Sequence, residues 1–214
     1  MAEIPPTQRT TLRRLPRRGS HDLDVIRAIL DEALVCHVGF VVDGQPYVLP
    51  STYARVGERL VVHGSPSNRM FRTLASGVPA CVTVSLLDGL VLARSAFHHS
   101  MNYRSVVLLG TGRAVEGREA KRAALEAIVE HVAPGRSRVA RPPTDREVDG
   151  TLVVEFPISE ASAKVRTGPP LDDDGDLARD CWAGVVPLRL EAGEPVPDEH
   201  VPAGTPPPVL ARRR

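Results

Sequence analysis

A chain of 214 residues suffices for one well-buried core, or one core with an appended tail, and does not call for two domains. Its 27 Lys and Arg nearly cancel its 26 Asp and Glu, so net charge gives no reason to expect nucleic acid or an anionic membrane as partner. Aromatic residues make up only 4%, which leaves few rings for stacking bases and a core of Val, Leu and Ala.

The first stretch, RTTLRRLPRRGSH, packs five arginines and a histidine together. It reads as a solvated basic arm over residues 1–20. DLDVIRAILDEAL then places Leu23, Ile26, Leu30 and Leu34 on one helical face behind the cap residue Asp22, which predicts a helix over 22–34. The next thirty residues are rich in Val and broken at Asp43-Gly44 and Gly57-Glu58, the pattern of three strands joined by tight turns. SPSNRMFRTLASG predicts a helix with Ser65 as cap, Pro66 in the first turn and Gly77 as the stop.

ACVTVSLL, Asp88-Gly89 and LVLARSAF repeat the hairpin pattern, and YRSVVLLGTGRAVE supplies a long strand, whole or broken at Gly110 to Gly112. REAKRAALEAIVEHVA is the clearest helical stretch, and TLVVEFPISEASAKVRT is read as one last strand. Beyond Gly168 the composition turns to Pro, Gly and Asp, so residues 21–168 form the folded domain and 169–214 a tail on its surface, mobile at its end. The sum is an α+β protein with an antiparallel sheet that closes into a small barrel. No GxGxxG follows a strand, which argues against a Rossmann site.

Three stretches can carry chemistry. In RLVVHGSPSNRMFR a strand runs into a capped helix start, where backbone N–H groups with Ser65, Ser67 and Arg69 make the outline of a phosphate cradle; the alternative is that Ser65 only caps and Arg69 only solvates. In HHSMNYRSVVLLG polar groups crowd a strand entrance, as at a ligand mouth. In SAKVRT the cations of Lys164 and Arg166 share a strand face, open to a flavin's pyrimidine edge, a substrate acid or the acids of residues 172–176. Trp182 reads as a packing anchor. No metal is expected, because the neighbouring histidines His98 and His99 point to opposite sides of a strand and no carboxylate or cysteine stands at a ligand spacing. Cys36, Cys81 and Cys181 suggest neither a disulfide framework nor a zinc site. With no membrane-length apolar run and no secretory signal, the expected compartment is the cytoplasm.

LVCHVGFVVDGQPYVLPSTYARVGERLVVHGSPSNRM, LLDGLVLARSAFHHSMNYRSVVLLG and SAKVRTGPPLDDDGDLARDCWAGVVPL resemble the flavin-nucleotide-binding proteins related to pyridoxamine 5'-phosphate oxidase, a group that includes 5-nitroimidazole reductases. The resemblance implies a split β-barrel of Greek-key antiparallel type that dimerises and holds FMN between its subunits. It implies that Pro50, Ser51, Thr52 and Tyr53 line the isoalloxazine and that His63, Gly64 and Ser65 follow the ribityl chain. Ser67, Asn68 and Arg69 then hold the phosphate. Tyr103, Arg104 and Ser105 approach from the partner subunit, and the tail near Trp182 closes over the site. Lys164 or Arg166 near N1 stabilises the anionic reduced flavin. The arginine-rich motif that binds pyridoxamine phosphate is not evident, so the expected activity is an FMN-dependent oxidoreductase of another small, aromatic or nitroaromatic substrate. Two alternatives stay open: a flavin carrier or sensor dimer without turnover, and a haem protein on the same barrel with His63, His98 or His99 as axial ligand.

Overall fold

The computed structural model describes residues 2–208. In chain order its main elements are β1 (Gly19–Ser20), α1 (Leu23–Glu32), β2 (Val35–Val42), β3 (Gln45–Val56), β4 (Arg59–Gly64), α2 (Arg69–Ala75) and β5 (Pro79–Leu92). There follow β6 (Ser100–Thr111), β7 (Arg113–Ala114), α3 (Arg118–Val132), α4 (Asp145–Asp149), β8 (Leu152–Pro157), β9 (Ala161–Arg166) and β10 (Gly184–Pro187).

The strands form one antiparallel sheet in the order β1-β9-β6-β5-β2-β3-β4-β8-β7, with β10 added beside β5. It wraps into the split barrel of an α+β fold. The wrapping is visible in β3, whose first part pairs with β2 as far as Thr52 and whose last part, from Tyr53, pairs with β4. One strand thus turns the corner between the two halves of the sheet. Inside lie Val38, Val62, Val82, Leu108, Phe156 and their neighbours, closed off at one end by Ile26, Ile29 and Leu30 of α1. Of the expected α1 stripe Ile26 and Leu30 are buried, with Ile29 beside them, while the helix ends at Glu32 and leaves Leu34 beyond it; the Asp22 side chain caps the helix by accepting from the Asp24 N–H at 2.8 Å. A smaller apolar cluster, Ala54, Val61, Val153, Ala124 and Ile128, seats α3 on the outside of the sheet.

Three expectations are corrected, and the tail adds one strand to those expected. Asp88-Gly89 is no hairpin: β5 runs straight through it with a bulge between Leu87 and Gly89, because β6 pairs with it on both sides of the irregularity. The last strand is two, β8 and β9, which join opposite regions of the sheet. The arm is not left in solvent: Ile4 and Thr10 are buried, Arg9 pairs with Glu160, and β1 pairs with β9. The tail carries a strand, β10, laid along the edge of β5 that β2 leaves uncovered.

Candidate functional site

The expected site residues fall into two groups on different parts of the sheet. The first occupies the corner of β3 and the end of β4. Pro50, Ser51 and Thr52 pair with His37, Cys36 and Val35 of β2, with Pro50 and Thr52 exposed. Tyr53 departs from the expectation: its side chain is fully buried, its hydroxyl donates to the Leu30 carbonyl at 2.6 Å, and its ring packs against that of His131 at 4.9 Å. It holds α1 and α3 to the barrel and lines no open site. Its place next to the corner shows why sequence alone missed this, since the strand switches sheets between Thr52 and Tyr53 and takes the side chain inward.

His63 and Gly64 end β4 opposite Val153 and Leu152. The imidazole is half-buried, its Nδ1 is buried without a partner, and burial pushes its pKa below the ordinary value, which favours the neutral ring. Gly64 is required for packing: a Cβ there would sit 2.1 Å from the Phe71 ring. The helix after it starts later than expected. Asn68, not Ser65, is the cap, its Oδ1 accepting from the Met70 N–H at 2.8 Å. The exposed Ser65 and Ser67 hydroxyls lie 2.7 Å apart in the loop before it, and the Arg69 guanidinium stacks 4.4 Å over the Tyr47 ring. Asn68 is therefore engaged in capping, while Ser65, Ser67 and Arg69 keep polar groups at the surface.

The second group sits across β6 and β9. The register sets Tyr103 opposite Arg166 and Ser105 opposite Lys164. Arg104 is not free: it binds Asp88 at 2.7 Å and forms a two-pronged pair with Glu32, contacts that raise its pKa further. Arg166 is buried and bonds to Asn102 and to the carbonyls of Gly168 and Pro169, with no acid beside it. The acids of the tail, expected as its alternative partners, go elsewhere: Asp172 to Arg94, Asp173 to His98, Asp176 to Arg179.

Trp182 is 64% exposed, so it is no packing anchor within this chain. His98 meets Asp173 at 3.2 Å, and His99 Nδ1 meets the Ser95 carbonyl at 3.0 Å. His21 carries a buried Nε2 without a partner, a feature the basic arm gave no reason to single out. Among the described residues no group of three His, Cys, Asp or Glu is placed to hold a metal ion, and no helix is long and apolar enough to cross a membrane.

The chain superposes on the structure of the flavocytochrome Anf3 from Azotobacter vinelandii with a TM-score of 0.88 at 41% identity, covering 95% of this chain and 94% of that one. It is similar to the FAD and heme binding protein from Mycobacterium smegmatis, with a TM-score of 0.85 and 40% identity over 89% of this chain and 94% of that one. A candidate 5-nitroimidazole antibiotic resistance protein from Bacteroides thetaiotaomicron is more distant, with a TM-score of 0.59 and 27% identity over 69% of this chain and 86% of that one. No curated protein matches the sequence. The profile described as pyridoxamine 5'-phosphate oxidase matches residues 22–165, and with the split barrel it establishes that the chain belongs to the pyridoxamine 5'-phosphate oxidase-like family.

Proposed function

We propose that this chain is a redox protein that carries a flavin together with haem, acting as a homodimer. The observation that carries the reading is its likeness, at 41% and 40% identity over almost the whole chain, to two proteins named as a flavocytochrome and as an FAD and haem binder. FMN is what the wider family resemblance implies; FAD is what the name of the Mycobacterium smegmatis protein favours. Both forms have a phosphate after the ribityl chain, which suits the exposed polar groups of Ser65, Ser67 and Arg69.

The division of the site supports the dimer. Within one chain, β3 and β4 lie on one side of the β2 and β5 pair, and β6 and β9 on the other. A second copy would bring its Tyr103, Ser105 and Lys164 against the first copy's Pro50 to Thr52. Lys164 is half-exposed and forms no ion pair among the described residues, as a group that steadies an anionic ring must.

For haem, His63 is the one of the three histidines considered whose ring has no hydrogen-bond or ion-pair partner among the described residues; its Nδ1 is buried, so Nε2 is the nitrogen that would meet the iron. When bound, the flavin supplies two-electron and one-electron chemistry and the haem one-electron transfer; the protein supplies position and charge. An electron-transfer role is favoured over nitroaromatic reduction by the two closer likenesses, and a carrier without turnover remains the reading to be separated from both.

The test is the absorption spectrum of the purified protein with identification of the chromophores released by acid. A flavin band and a Soret band together are expected, bleached and shifted by NAD(P)H or dithionite and restored by an acceptor. His63→Ala should lose the Soret band and keep the flavin, while His21→Ala keeps both. A colourless protein that takes up neither added flavin nor hemin overturns the reading.

A further inference from the structure

A cleft runs beside β9, between the arm and α1. Its wider part, about 520 Å³, is walled by Val25, Ala28, Ile29 and Val165, with Arg17 and Arg18 among its lining. It adjoins a second space of about 320 Å³ that shares Arg17, Arg18 and Val165 and adds Arg166. The two arginines of the arm project from a short helical turn, Pro16–Arg18, that β1 fixes against β9.

Arg166 is only 5% exposed, yet no carboxylate meets it. Its guanidinium rests on one amide oxygen and two carbonyls, and its Nε is buried without any partner. Burial, and then the charge of Arg18, both press against its charged form. A desolvated cation left uncompensated is costly, and placing a second cation near it makes the cost larger. The rest of the chain avoids this: Arg104, which lines the same cleft, is held between Glu32 and Asp88, and the acidic run after Leu171 is engaged with Arg94, His98 and Arg179. Neither Arg17 nor Arg18 forms an ion pair among the described residues. Arg166 is thus a buried cation with no carboxylate of the chain beside it, and the exposed Arg17 and half-buried Arg18 line the same space.

We propose that this cleft is an anion site, in which Arg17, Arg18 and Arg166 receive a phosphate or carboxylate whose apolar body lies against Val25, Ala28, Ile29 and Val165. Guanidinium forks suit either oxyanion, and the aliphatic wall selects an amphipathic ligand over a bare ion. The inference does not rest on the identity of the cofactor. The oxyanion comes either from a bound cofactor's own phosphate or propionate or from a separate small molecule, and the experiment distinguishes the two.

Octyl phosphate, with octanol as the uncharged control, is titrated calorimetrically into the purified protein and into the Arg17→Gln/Arg18→Gln variant, whose changes fall on a surface turn that leaves the core intact. Octyl phosphate should bind the wild type at least tenfold tighter than the variant, and octanol should not distinguish them. If the variant is purified with its chromophores in full, the site takes a separate ligand. If it emerges depleted of flavin or haem, the cofactor's own anionic group occupies the cleft. A variant with full chromophore content that binds octyl phosphate as the wild type does, or a wild type that binds none while the variant keeps its chromophores, overturns the proposal.

Discussion

Gly64 shows how a single residue couples the site to the core. It stands at the end of β4, next to His63 and before the exposed serines, and its missing side chain is the space that the Phe71 ring fills. A methyl group there would come within 2.1 Å of Phe71 Cε2, far inside van der Waals contact, and the ring sits in the main core with Met70 and Leu74, so it cannot swing away freely. Gly64→Ala should therefore destabilise the fold by ~1–3 kcal/mol, the usual range for overpacking. A urea titration checks this, and Phe71→Leu in the same chain should recover part of the loss by clearing the space. An unchanged midpoint in Gly64→Ala would mean that Phe71 is not held where the packing puts it.

At the scale of elements, the tail is attached by a buried acid as well as by a strand. Asp172 is 2% exposed at its side chain and accepts from the Arg94 backbone N–H at 2.8 Å and from its guanidinium at 3.0 Å. Burial works against its charge, but the Arg94 contacts outweigh it and hold the carboxyl below its ordinary value of 3.8. A carboxylate with a depressed folded pKa binds its proton less readily folded than unfolded, so its stabilisation is complete above that ordinary value and fades as pH falls below it. Asp172→Ala should thus speed proteolysis of the tail several-fold at neutral pH, and this difference from wild type should shrink in acid. Equal cleavage rates at neutral pH would show β10 to be sufficient by itself.

The same tail marks what the residues could and could not announce. The helices α1 and α3 were legible because their apolar spacing alone sets the buried face. Asp43-Gly44 was legible because both residues take positive φ, 50° and 76°, as a tight hairpin turn requires. Asp88-Gly89 has the same two letters but no positive φ, and one long partner strand, β6, pairs with β5 before and after it and absorbs it as a bulge. Nothing local separates the two cases. Nor could β10 be read: its four residues are a strand only because β5 offers an open edge. In the candidate site, the histidine, serines and Arg69 were legible as polar groups at a strand end, whereas the inward turn of Tyr53 and the buried, acid-free setting of Arg166 depend on contacts distant in sequence.

At the scale of the whole molecule, the surface of β3 is where the proposed homodimer can be tested. Successive residues of a strand point to opposite faces, so a strand covered on one side alternates between buried and exposed. In β3 this alternation fails: Val48, Leu49 and Pro50 are all exposed, Val48 at 66%, just before the corner where Thr52 leaves β2. Val35 and Val41 of the neighbouring β2 are exposed as well, so the apolar surface is continuous across the two strands and extends to the residues expected to line a flavin. The proposed homodimer would cover this surface and complete the cofactor site in one step, since the β6 and β9 residues would come from the other copy. Val48→Glu places a charge at the centre of that contact without disturbing the core. It should convert a dimer into a monomer in size-exclusion chromatography with light scattering, and flavin content should fall with the dimer fraction. If the wild type is a monomer that retains flavin, one chain holds the cofactor alone and the exposed face of β3 has another use.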